Sequence, residues 1–246
     1  MENNSVTTTM LAMIVAFCMA FYVTNAADPS QLQSFCIGIN DPNSAVFENG
    51  KFCKNPKDVT INDFVYKGFN VPGNTNSNIQ GATATIVDES LFPGLNTLGV
   101  TIARVDFAPY GLNTPHLHPL GSEIFLVMEG TMYAGLVNTD NTLYDTVLNK
   151  GDMIVFPQGL IHFQLNIGDK DAFAIASFGS QNPQRIDIPN SVFGTTPSIL
   201  GDVLTKAYQV DSRVIEKLQG QFPNQENGVE SGRSILRFIQ QNSHSY

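Results

Sequence analysis

This sequence predicts an all-β fold, and three observations carry that expectation. The chain of 246 residues holds 20 glycines, 13 prolines and no tryptophan, which favours many short elements joined by tight turns over long helices. Between residues 82 and 178 the apolar positions fall in short, often alternating runs broken by Gly, Pro and Asn-Asp turns, the texture of an antiparallel sandwich or barrel. With 42% hydrophobic residues and a mean hydropathy of −0.03, the chain is neither disordered nor a multi-span membrane protein. The net charge of −9 comes with no basic stripe to neutralise phosphates, so nucleic acid is not an expected partner.

The elements follow in chain order. Residues 10–23, MLAMIVAFCMAFYV, form an apolar run shorter than the ~20 residues of a spanning helix, and Thr24-Asn25-Ala26-Ala27 follows it. That pattern reads as a secretory signal over residues 1–26, with no membrane association after cleavage; an uncleaved anchor is the alternative. Cleavage removes Cys18 and leaves Cys36 and Cys53. These either form one bridge, worth on the order of 3 kcal/mol, or stay as two buried thiols in a compartment where disulfides persist. Residues 27–81, rich in Asn, Asp, Pro and Gly, read as an irregular N-terminal arm.

Residues 82–195 form the expected barrel, carried by the runs ATATIV, LGVTIARVDFA, SEIFLVMEG, TMYAGLVN, DTVL, DMIVFP, IHFQLN and AFAIASF. Over residues 196–222 the period changes to that of helices. Ile199, Leu200, Val203, Leu204 and Ala207 fall at helical spacing, and Asp211 can cap a second helix with Val214, Ile215 and Leu218 on one face. On pattern alone these helices cover either their own barrel or another subunit. Residues 223–246 read as a polar, mobile tail.

Of four histidines, three lie in the β region: His116, His118 and His162. In Thr114-Pro115-His116-Leu117-His118 the imidazoles are one residue apart, so an extended strand points both to one face. Glu123 follows after Pro119-Leu120-Gly121, and His162 after Pro157-Gln158-Gly159, each placed by turn residues. Three nitrogens and one carboxylate can thus converge inside a barrel. A His-x-His pair by itself is more simply two half-exposed strand histidines; the added Glu123 and His162 make a metal site the better reading. Without thiolate the set is borderline to hard. Zinc usually stops at four ligands, whereas Mn(II) or Fe(II) keeps further positions open.

The stretch Gly111-Leu-Asn113-Thr-Pro115-His116-Leu-His118-Pro119, with Glu123 and Gly130, resembles one of the two paired boxes of the plant germin-like proteins, in the cupin superfamily. Gly151-Asp152-Met-Ile-Val-Phe156-Pro157-Gln-Gly159-Leu-Ile-His162-Phe-Gln-Leu-Asn166 resembles the other. The likeness extends through Phe92-Pro93-Gly94-Leu95-Asn96-Thr97-Leu98-Gly99, Ser180-Gln181-Asn182-Pro183 and the two-cysteine arm, from about Asp28 to Phe222. It implies a cupin jelly-roll β-barrel with a disulfide-closed arm, Cys36 to Cys53, and C-terminal α-helices that clasp a neighbouring subunit. It also implies Mn(II) held by His116, His118, Glu123 and His162, and a homo-hexamer built as a trimer of dimers in the apoplast or cell wall.

The implied activity is that of a manganese-dependent oxidoreductase of superoxide dismutase type, with a role in plant defence or the wall and Asn113 as an added catalytic residue. Asn113 or Asn166 could orient a water; for Asn166 a turn or strand amide is the simpler role. Oxalate oxidation is the weaker reading, because the members that perform it resemble one another in an asparagine at the place of Ala103, which offers no donor. The alternatives are a metal-stabilised binding or receptor-like wall protein and a cupin acting on a specialised metabolite. Tyr110, Thr114 and Leu120 depart from the box pattern and would change the surroundings of the ligands without removing one.

Overall fold

A computed structural model describes residues 34–39 and 51–222. The expected signal segment and the polar tail lie outside the described residues. The chain divides into two compact units, one made of 1–67, 87–101 and 179–182, the other of 68–86, 102–178 and 183–246.

The smaller unit holds the arm. Two-residue strands β1 (Gly38–Ile39) and β2 (Phe52–Cys53) pair antiparallel, Gly38 opposite Cys53 and Ile39 opposite Phe52. The Cys36–Cys53 disulfide closes this segment, with Cys36 itself buried. Lys54 grips Asp63 at 2.9 Å, and Phe35 meets Phe64 edge-on at 5.4 Å. Single 3-10 turns at Pro56–Asp58 and Ile61–Phe64 take the place of longer elements, as the Asn- and Pro-rich composition favours.

The larger unit is a double-sheet jelly roll. Its strands are β3 (Ala82–Val87), β4 (Thr101–Phe107), β5 (Leu112–Leu117), β6 (Glu123–Glu129), β7 (Thr131–Val137), β8 (Leu143–Asn149), β9 (Met153–Phe156), β10 (Ile161–Asn166), β11 (Ala172–Phe178) and β12 (Ile186–Asp187). One five-stranded sheet runs β12-β5-β10-β7-β8 and the other β3-β4-β11-β6-β9. Alternation decides what faces inward. On β11, Ala172, Ala174, Ala176 and Phe178 are buried, and on β10 it is His162, Gln164 and Asn166. The apolar inward positions merge into one core around Val105, Phe107, Phe125, Val127, Met132 and Phe156. Small alanines on β11 leave room for the phenylalanines of its neighbours, and Phe107 meets Phe125 edge-on at 6.5 Å.

Three helices follow the barrel: α1 (Ile188–Phe193), capped by Asp187, α2 (Gly201–Tyr208) and α3 (Ser212–Gln221). Asp211 caps α3 by accepting from the Arg213 N–H. The buried face of α3 differs from the apolar pattern. Ile215 is buried, but Val214 is 44% exposed, and Gln219 takes its place inside by donating to the Ile199 carbonyl. A buried amide is tolerated there because that bond satisfies it.

Candidate metal centre

The four ligand candidates come from both sheets. On one sheet β5 and β10 run antiparallel with His162 directly opposite His116. Between that pair and the next, Gln164 opposite Asn113, the register slips by one residue. The extra residue falls at Thr114–Pro115, where proline has no N–H to give to the ladder, and the bulge leaves the Thr114 carbonyl free to accept from His116. His118 stands one position past β5, and its carbonyl accepts the Gly159 N–H at 2.9 Å. That bond ties the Pro157-Gln158-Gly159 turn to the histidine pair. Glu123 opens β6 on the other sheet, with Phe156 and Phe178 as its register partners on either side.

One ligand atom from each of His116, His118, Glu123 and His162 falls within 4.8 Å of every other. All four side chains are buried, Glu123 at 3% exposure. Glu123 Oε2 lies 3.3 Å from His118 Nε2 and 3.2 Å from His162 Nε2. Phe156 stacks on the His162 ring at 4.3 Å, and Phe178 meets His118 edge-on at 4.7 Å. The core therefore forms a dry wall behind the ligands.

The orientation of the rings is fixed from outside the cluster. His116 Nδ1–H donates to the Thr114 carbonyl at 2.7 Å and His162 Nδ1–H to the Leu160 carbonyl at 2.8 Å. His118 Nδ1–H donates to the Gln184 carbonyl. Each proton is thus held on the outer nitrogen, which leaves Nε2 of the neutral ring as a lone pair turned inward. Three such lone pairs and a carboxylate are four electron-pair donors in one small space, an arrangement that only a proton or a cation holds together. The residues fit a metal ion on this ground. His116 is pushed down to about 2, by burial first and then by the positive charge of Arg185, so it stays neutral and ready to ligate. Burial alone would raise Glu123, but the facing His118 and His162 outweigh it and hold the carboxyl down to about 2.

Asn113 is not part of the cluster. It sits on β5 three positions before His116 and hydrogen-bonds Gln164 and Arg185 instead. Asn166 donates to the carbonyls of Ala108 and Lys170 and accepts from the Gly168 N–H, the work of a turn clamp. Tyr110 adopts a left-handed backbone, φ 59°, two positions before β5 begins. Leu120, by contrast, is two residues from His118, its N–H on the Pro183 carbonyl. Sequence reasoning missed Phe156, Phe178, Gln164, Gln184 and Arg185 as parts of the surroundings. Only the inward alternation of IHFQLN carried any hint of Gln164.

The cupin family matches residues 67–216. A germin-like protein of Mesembryanthemum crystallinum is 47% identical over 221 residues, covering 84% of this chain and 94% of that one. Germin-like protein subfamily 1 member 16 of Arabidopsis thaliana is 48% identical over 212 residues, covering 85% and 94%. Among solved structures, an oxalate oxidase in complex with the substrate analogue glycolate aligns with a TM-score of 0.76 at 41% identity, over 79% of this chain and 98% of that one. Jelly-roll barrel, arm disulfide, buried His-His-Glu-His cluster and extensive identity agree, and the chain belongs to the germin-like proteins of the cupin family.

Proposed function

We propose that this germin-like protein is a secreted manganese-binding oxidoreductase of superoxide dismutase type, acting in the apoplast or cell wall and in plant defence. The observation that carries the reading is the set of three imidazoles, each locked by a backbone carbonyl with Nε2 inward, around one buried carboxylate. His116, His118, Glu123 and His162 would hold the ion. A nitrogen–carboxylate set without sulfur suits Mn(II) better than a thiol-preferring ion. Bound manganese supplies one-electron cycling between Mn(II) and Mn(III), by which two superoxide anions and two protons become dioxygen and hydrogen peroxide.

The chain's own residues do the rest. The outer Nδ1–H bonds keep the imidazoles from turning, so the site does not reorganise as charge changes. Phe156 and Phe178 exclude water from the inner side. Secretion is supported by the Cys36–Cys53 disulfide and by the apolar segment 10–23. Assembly into a homo-hexamer is supported by apolar side chains on the outer face of β6 and β9, where Ile124, Met153 and Val155 are exposed.

A second reading, oxalate oxidation, draws on the likeness to the solved oxalate oxidase. Ala103, buried on β4, opposes it by offering no hydrogen-bond donor to a dianion. The test is elemental analysis of the secreted protein alongside superoxide and oxalate assays. We expect about one manganese per chain, superoxide dismutation, and no peroxide from oxalate. Manganese bound with neither activity would overturn the enzyme reading.

A further inference from the structure

We propose that Arg185 is a positioning residue that sets the amide polarity of Asn113 and, through it, of Gln164, so that Gln164 presents N–H rather than C=O to the barrel interior beside the ligands. The inference rests on the metal-site reading above and assigns that site a preference for small anions with acceptor atoms.

The argument needs only the inventory of donors and acceptors. A guanidinium has donors alone. Arg185 Nη1 lies 2.8 Å from the Asn113 side chain, so the atom facing it must be the oxygen, Oδ1. The Asn113 nitrogen is then turned the other way, where it meets the Gln164 side chain at 2.6 Å, and Gln164 must answer with its own oxygen. Gln164 Nε2 is what remains. It is buried and has no hydrogen-bond partner among the described residues, in a side chain with 0% exposure. Gln164 shares the inward face of β10 with His162, two residues away. An unpartnered amide N–H₂ in that position is a standing invitation to an acceptor, and leaving it empty is unfavourable.

Arg185 is itself held. Its Nη2 donates to Asp187 at 2.9 Å and to Thr114 Oγ1 at 3.1 Å, and the Thr114 hydroxyl donates in turn to Asp187. β12 lies along β5, with Asp187 opposite His116, so the clamp is fixed on the outer side of the ligand strand. A surface cavity of about 470 Å³ is lined by Asn113, Thr114, Arg185 and Asp187, which gives solvent access to the guanidinium without opening the ligand cluster. A charged residue at the protein edge therefore dictates, across two amides, what a buried pocket offers to a ligand.

The probe is azide, a small monoanion that accepts hydrogen bonds, titrated into the manganese-loaded protein. Four proteins form a cycle: unsubstituted, Arg185→Met, Gln164→Leu and the double variant, with Arg185→Lys as the conservative control. Manganese affinity, read by chelator competition, stays within about threefold throughout, because neither Arg185 nor Gln164 is a ligand or holds a ligand ring, which the carbonyls of Thr114, Gln184 and Leu160 do. Arg185→Met weakens azide about tenfold in the native background and less than twofold when Gln164 is already leucine; Arg185→Lys, which keeps a donor facing Asn113, recovers most of the loss. An equal fall in both backgrounds would show that Arg185 acts only by its charge and would overturn the proposal, as would an unchanged azide affinity or a loss of manganese in Arg185→Met. Thermal unfolding of the metal-free proteins reads the same network without any ion. Here the two single Tm shifts are expected to exceed the shift of the double variant when summed, and strict additivity would overturn the proposal. Failure of the unsubstituted protein to take up manganese would instead overturn the metal reading, and the metal-free cycle would still decide this one.

Discussion

Glu123→Gln removes one charge and keeps the shape of the site. The carboxylate is the single anionic atom set among the four, with Oε2 3.2 Å from His162 Nε2 and 3.3 Å from His118 Nε2. A hard divalent ion held by three neutral imidazoles loses its best oxygen when that group becomes an amide. Changing a residue that merely orients a ligand typically lowers affinity 10–100-fold, so losing the ligand's charge should lower it by at least about 100-fold. The consequence for stability follows by linkage. At manganese one hundred times above the native dissociation constant the unsubstituted protein gains about 2.7 kcal/mol, which for a chain of this size raises Tm by about 5–11 °C. At the same concentration the variant sits near half saturation and gains only about 0.4 kcal/mol, or about 1–2 °C. Differential scanning calorimetry with and without manganese reads both quantities. A variant whose metal-induced rise in Tm equals that of the native protein would refute the assignment of Glu123 as a ligand, whatever its metal-free stability.

Two further outcomes are expected. The metal-free protein should lose stability as pH falls: the unfolded chain takes a proton on His116 from pH 6.5 downward, while the folded site refuses it until about 2, and Glu123 adds to the loss between 4.5 and about 2. The slope from His116 alone reaches about 1.4 kcal/mol per pH unit, and urea unfolding in chelator at stepped pH would contradict this if stability were flat between pH 6.5 and 4.5. At Gln184, whose left-handed backbone, φ 57°, aims its carbonyl at His118 Nδ1, glycine should preserve manganese affinity and valine should lower it about tenfold. Equal affinities in the two variants would remove Gln184 from the support of the site.

The parts of this molecule that could be read from the sequence are those whose physics is local. ATATIV, IHFQLN and AFAIASF coincide with β3, β10 and β11, because each alternates or runs apolar between residues that end a strand. The clustering of His116, His118, Glu123 and His162 was equally legible, since His-x-His and the Gly/Pro turns before Glu123 and His162 act over a few residues. β5 was harder. Leu112–Leu117 contains a proline and no clean alternation, and it is a strand only because β10 and β12 flank it and a bulge absorbs Pro115. Gln219 illustrates a second limit, because an apolar pattern marks what is hydrophobic and not which amide finds a carbonyl. The orientation of the site lay furthest from the sequence. Asn113 meets Gln164 across 51 positions and Arg185 across 72, and both meetings depend on strand register, which no local signal sets here. Residue types thus announce which atoms can ligate, while backbone carbonyls, one of them 66 positions away, fix the rings, and one guanidinium turns the amides beside them. Among chains that carry this set of candidate ligands, differences in chemistry should therefore be sought in that outer ring, starting at β12.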